Sequence, residues 1–400
     1  MRRLVLAAVC GALVACGGGG SSADGGTGGG SGGGSGGGSG GGSGGGSGGG
    51  SGNNCPQPTC ITRFASGDAH ALAFDAQGRA IAAWGGGPDF ATFGVSRLEG
   101  GQWRQLGGNF EGVSWIPAGA PRVAVDAMSR PIVAWPSKPP GGSLRVSNVR
   151  VERWNGTAWE LLGNELEATA LAGLEAIGST LHVVASMQGV QTLFTLTDGA
   201  ASWTSLPVST GTNYYNFPLL GAVGGSPHLA LKSFADEAIH AYRAAGALTR
   251  QGPDLPALMR TRLAALLDLG GDIVIHTVSS VTDGGTAEVS SADRLSSGAW
   301  VNTPGPDLPR AKAAAMTVVN GSLVTAFFVS GATLLENDTL KVFKWSGSSW
   351  TEIDSYTSPD DTALADTPVL AAHGSTLGIT WDTPSGEPGY RIAYRTITVP

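Results

Sequence analysis

The chain has 400 residues, 41% hydrophobic and 14% charged, with 24 basic against 31 acidic side chains and a net charge of −7. An acidic chain with five lysines and no basic run argues against nucleic acid and against electrostatic docking on anionic lipid. Beyond the first fifteen residues no stretch approaches the roughly 18 consecutive apolar residues of a membrane-spanning helix.

Met1-Arg2-Arg3 is a short basic start and residues 4–15 are an apolar run, so residues 1–15 read as a secretory signal peptide. The run ends Leu13-Val14-Ala15-Cys16, which resembles the bacterial lipobox. That resemblance implies cleavage before Cys16 and lipidation of its thiol. With Gly17 next instead of aspartate, it implies a lipid-anchored protein of the bacterial outer membrane or cell surface. Several acyl chains on one residue hold a membrane stably, and this anchor is the only membrane contact expected.

Residues 16–54 follow as a tether. Of the 65 glycines, 25 fall between Gly17 and Gly52, a segment with no aromatic residue and no aliphatic one larger than alanine. Such a segment buries too little to offset its chain entropy, and its r.m.s. reach is roughly 30–37 Å. Cys55 and Cys60 bracket Pro56-Gln57-Pro58-Thr59. In an exported chain this spacing predicts a disulfide clamping the point where linker becomes fold.

From there the sequence repeats. Residues 71–84 (ALAFDAQGRAIAAW) align with residues 122–135 (RVAVDAMSRPIVAW), each an apolar alternating run, a turn and a second run. Downstream of each, a glycine turn precedes a tryptophan, Trp103 and Trp159; the same signal returns at Trp203, Trp300 and Trp350. First strands are expected near residues 72, 123, 174, 219, 264, 315 and 369. Seven four-stranded units predict an all-β, seven-bladed β-propeller of antiparallel blades over residues 55–400. The last unit has three clear strands, and residues 61–64 are the candidate for its fourth. The five repeating tryptophans are expected in the core.

The hairpin glycines and the tryptophan opening the outer strand resemble kelch and galactose-oxidase-type propellers. The resemblance implies the fold, and it places the loops after second strands on one face with the loops between blades. Segments 85–93, 136–143, 279–285, 330–338 and 382–389, with the connections 107–121 and 355–368, would build that face. No functional residue of those families carries over.

His70, His182, His228, His240, His276 and His373 show no metal-ligand spacing, so neither metal nor cofactor is expected. No nucleophile elbow, phosphate loop or sialidase Asp box occurs, and no catalytic residue is assigned. Trp84, Trp135 and Trp381 close second strands of units that become neighbours in the ring, and Trp115 lies on the adjoining connection. These four are the candidate ligand-binding residues, a stacking platform for sugar or peptide, against the bland reading that they fill space between blades. The expected function is a monomeric binding module for an envelope or extracellular protein or a polysaccharide. The alternatives are an envelope polysaccharide hydrolase or lyase using acids such as Asp360, Asp361 or Asp382, and a structural surface protein.

Overall fold

The computed structural model describes residues 62–66, 68–86, 92–111, 120–137, 148–187, 189–208, 218–233, 235–257, 261–280, 288–330, 338–357, 365–384 and 390–400. Cys16, Cys55, Cys60 and Trp115 lie outside these ranges.

The described residues form seven antiparallel sheets, the blades of a β-propeller, with no helix. A leading strand β1 (Thr62–Ser66) precedes blade 1, which is β2 (Asp68–Phe74), β3 (Ala80–Gly86), β4 (Thr92–Glu99) and β5 (Gln102–Gln105), with a short β6 (Phe110–Glu111). Blade 2 is β7 (Arg122–Val125), β8 (Pro131–Ser137), β9 (Asn148–Trp154) and β10 (Trp159–Leu161). Blade 3 is β11 (Ala170–Ile177), β12 (Thr180–Met187), β13 (Val190–Thr197) and β14 (Thr204–Pro207). Blade 4 is β15 (Leu219–Val223), β16 (Ser226–Ser233), β17 (Ala238–Ala244) and β18 (Leu248–Pro256). Blade 5 is β19 (Thr261–Leu269), β20 (Asp272–Ser280), β21 (Glu288–Ser296) and β22 (Ala299–Pro304). Blade 6 is β23 (Ala311–Val319), β24 (Ser322–Val329), β25 (Thr339–Trp345) and β26 (Trp350–Thr357). Blade 7 takes β27 (Ala365–His373), β28 (Thr376–Pro384) and β29 (Tyr390–Thr398), and its fourth strand is β1.

Each hairpin has its own sequence logic. The second strands are mostly apolar runs, such as Ile132–Trp135 and Leu323–Phe328 with Thr325 inside it, because both of their faces are covered by neighbouring blades. The outer strands are short and largely exposed; β5 and β14 bury no residue fully. The closing strand pairs as expected from residues 61–64, with Thr62 opposite Tyr394 and Arg63 opposite Ala393.

The repeating tryptophans are half-buried rather than core residues, and the structure shows why they recur. Four of the five donate the ring N–H to a main-chain carbonyl of the preceding blade. Trp159 reaches Leu106 O at 2.8 Å, Trp203 Leu162 O at 3.2 Å, Trp300 Pro253 O at 2.8 Å and Trp350 Pro304 O at 2.7 Å. Trp103 instead meets Tyr394 of blade 7 edge-on, with ring centroids 5.0 Å apart. Blade 4 has Leu248 where its neighbours have tryptophan. These indoles join sheets that share no strand pairing.

One connection was read too simply. The segment 107–121 is not loop throughout. Phe110 and Glu111 return as β6 against Phe93 and Thr92 of β4, because Phe110 stacks on Phe93 at 4.3 Å and meets Trp135 at a tilt, with ring centroids 4.6 Å apart.

Candidate functional site

The first-to-second turn of every blade, and the third-to-fourth turn of blades 1 to 6, open on one face of the ring, the turn face. The connections after second strands and between blades open on the other, the loop face. Of the four tryptophans expected on the loop face, the three within the described residues pack against the protein itself. Trp135 is 3% exposed, packed by Phe93 and Phe110 and capped by the Arg150 guanidinium 5.7 Å from the ring centre. Trp381 is 1% exposed and packs against Tyr356 and the aliphatic core between blades 6 and 7. Trp84 donates to Ser96 Oγ at 3.0 Å, and its ring lies so close to Gly94 that a Cβ there would sit 2.5 Å from Cζ2. These rings lie against protein rather than presenting a face on which a sugar could stack. The burial that favours a large aromatic residue on a second strand is the same burial that removes it from solvent.

A cavity opens on the turn face, between blades 2 and 3. It encloses about 370 Å³. Its floor is Ile132, Leu162, Leu181 and Leu196, and two apolar side chains stand at its edge in solvent, Met128 at 68% and Leu161 at 43% exposure.

The rim is an alternation of two acids and two arginines. Asp126 shapes the turn of blade 2 by accepting the backbone N–H groups of Met128 and Arg130 at 2.9 Å each, and its second oxygen takes Arg130 Nε at 2.7 Å. Asp75 and Arg79 make the same arrangement in blade 1, so the aligned repeat specifies an Asp-Arg turn as well as a hairpin. In blade 2 this turn meets a charge from the next blade. Asp198 binds Arg153 Nη1 at 2.7 Å and approaches Arg130 Nη2 at 3.5 Å. The Arg153 hydrogen bond and charge, with help from Arg130 and the Gly199 amide, hold the Asp198 carboxyl below the usual range. Arg153 Nε is buried without a partner. Planar guanidinium and carboxylate groups beside an apolar floor suit a ligand with vicinal hydroxyls and a less polar face. Sequence reasoning passed over this site: Asp126 and Arg130 were legible as a repeated turn, but nothing in the chain order brings Asp198 to them.

Of the acids considered for catalysis, Asp382 is 2% exposed, while Asp360 and Asp361 lie outside the described residues. Two of the buried histidines are held neutral. Desolvation lowers His182 to about 4 and His276 to about 3, the latter with a contribution from Arg262. His276 Nε2 lies 2.8 Å from Ser290 Oγ.

Glu175 stands opposite His182 in the β11–β12 pairing, and burial raises its carboxyl to about 7. The sign is fixed by the direction. An acid whose folded value is raised from 4.5 to about 7 costs no stability below pH 4.5, and the cost grows as pH climbs through that window. Glu175→Gln is therefore expected to raise the unfolding free energy by about 3 kcal/mol at pH 8 and to leave it unchanged near pH 4, measured by denaturant titration at both values. An equal effect at the two pH values would refute the buried-carboxyl account.

No family model matches the chain, and no curated protein matches it. Solved structures do. The structure described as a polysaccharide lyase of a new family, PL25 ulvan lyase bound to -[GlcA(1-4)Rha3S]-, superposes with a TM-score of 0.56 at 10% identity, covering 84% of this chain and 95% of that one. The β-propeller domain of the Trilobed protease from Pyrococcus furiosus gives 0.52 at 7% identity, covering 84% and 96%. The polysaccharide lyase Uly1 gives 0.51 at 10% identity, covering 85% and 91%. At these identities the likeness is one of fold.

Proposed function

We propose that this protein is a lipid-anchored module of the cell envelope that binds a glycan in the crevice between blades 2 and 3. The observation that carries the reading is that crevice: an apolar floor at Ile132, Leu162, Leu181 and Leu196, rimmed by Asp126, Arg130, Arg153 and Asp198. The scaffold is shared with two polysaccharide lyases, which supports a carbohydrate ligand over a protein one. A lipobox-like leader and a long Gly/Ser tether support a role at a surface, where a propeller held loosely samples nearby polymer.

The test is titration of the mature chain with a panel of neutral, uronic and sulfated oligosaccharides. Asp198→Asn and Leu161→Glu are expected to weaken binding by about tenfold or more, since each removes a hydrogen-bonding or apolar contact worth at least about 1.4 kcal/mol. Both sites are partly exposed, so the melting temperature should hold. Affinity untouched by either substitution would move the site elsewhere on the ring. Release of new reducing or unsaturated ends would show turnover and favour the lyase or hydrolase reading.

A further inference from the structure

Blade 4 departs from its neighbours at its outer edge. β17 and β18 pair at Ile239 with Leu255 and at Ala241 with Gln251, so residues 252–254 together face the single residue His240. This bulge needs Gly252, whose φ of +67° lies in the left-handed region. It is pinned from blade 5, because the next residue, Pro253, accepts the Trp300 N–H at 2.8 Å. Its effect is to bring Asp254 up to His240.

A second carboxylate comes from the turn after β16. Asp236 Oδ2 lies 3.0 Å from His240 Nε2. One ligand atom each from Asp236, His240 and Asp254 lies within 4.8 Å of the others, with the imidazole buried and both acids exposed.

We infer that Asp236, His240 and Asp254 form a binding site for a divalent transition-metal ion, with zinc the best match to the donor set. One imidazole nitrogen and two carboxylate oxygens form a borderline-hard set of three. Calcium, by contrast, asks for six to eight oxygens. The 3.0 Å between Asp236 and His240 is close to the edge of a tetrahedron with zinc bonds of about 2.0–2.1 Å, which is about 3.3 Å.

The surroundings are those of an oriented ligand set. The Ser233 hydroxyl bonds Asp236, which together with His240 holds that carboxyl in its charged form. Arg250 pairs with one oxygen of Asp254 and leaves the other for an ion. Arg250 is itself fixed by Tyr242, whose hydroxyl accepts its Nη1 at 3.1 Å and whose ring centre lies 5.2 Å away. Three protein ligands leave a coordination position for water or for an oxygen of a bound molecule. The site stands at the outer rim of the loop face, on the far side of the ring's thickness from the crevice, and its assignment does not depend on the glycan reading.

The experiment is calorimetric titration of the mature chain, first treated with a chelator and then exchanged into metal-free buffer, with zinc chloride, manganese chloride and calcium chloride in separate runs. One zinc ion per chain is expected to bind with micromolar affinity or better and to raise the melting temperature. Asp236→Asn and Asp254→Asn should each weaken zinc binding by about tenfold or more, and both substituted groups are exposed, so the metal-free melting temperature should hold. His240→Ala should abolish binding. Absence of zinc binding, or binding unchanged in the Asp236→Asn/Asp254→Asn double variant, would overturn the assignment, as would a preference for calcium.

Discussion

Trp381→Ala is expected to lower the unfolding free energy by about 3–5 kcal/mol, a loss comparable to the whole margin of a marginally stable domain. The indole is 1% exposed and fills the wedge between blades 6 and 7 with Leu377, Ile379, Ala393 and Tyr356 around it. Its removal opens a cavity that β-sheets on both sides, fixed by their own pairings, cannot collapse to fill. Trp381→Phe should cost much less. The Trp381 N–H is buried without an acceptor, and phenylalanine dispenses with that unsatisfied donor while keeping most of the apolar contact. Denaturant unfolding of the two variants beside wild type decides the matter. An alanine variant that melts like wild type but loses ligand would restore the indole to a binding role.

The second large effect concerns closure. A chain that begins at Asp68 lacks β1, so blade 7 keeps three strands and the outer edge of β29 loses the partners of Ala393 and Tyr394. The first and last strands of the ring are then no longer joined in one sheet. The expected loss is on the order of 3 kcal/mol or more, similar to removing a cross-link that closes a long loop. The bared edge should also recruit a second chain, visible as dimers or aggregates by size-exclusion chromatography. A monomer with an unchanged denaturation midpoint would show that β1 is ornamental. The Pyrococcus furiosus propeller is described as having an open velcro topology, whereas here β1 lies on β29.

Much of the ring was legible because its signals are local. A positive-φ turn such as Gly224-Gly225 or Asn320-Gly321 needs its glycine wherever it occurs, and the tryptophan that opens an outer strand needs only a neighbour's carbonyl. The apolar runs between these marks fix strand length, and the seventh unit comes out one strand short, the strand that residues 62–66 supply. What could not be read is what crosses between blades. Trp84, Trp135 and Trp381 share a register, but register does not say whether an indole meets solvent or the next sheet. The crevice is another case. Asp126 and Asp198 are 72 residues apart in the chain, and only the packing of blade 3 on blade 2 sets Asp198 between Arg130 and Arg153. The Asp236–His240–Asp254 cluster was hidden for a third reason. Alternation along β18 predicts nothing at Asp254 until a bulge is known.

The tryptophan bonds also set where this ring would give way. They cross from blade 2 to 1, 3 to 2, 5 to 4 and 6 to 5, while blade 7 meets blade 1 through Tyr394 and Trp103 and meets blade 6 through Arg395 and Asp354. Between blades 3 and 4, Leu248 has no side-chain N–H to give, and Val184 and Leu193 pack with Leu229 and Leu231 in an apolar contact. Strand alternation turns Glu175 and His182 toward that same junction, beside Gly173 and Val184. Among the described residues this junction carries no indole bond, so it is the expected first point of opening. Alkaline pH, which charges Glu175, is expected to loosen the ring there before its other junctions, like a clasp that opens opposite the latch of β1 on β29.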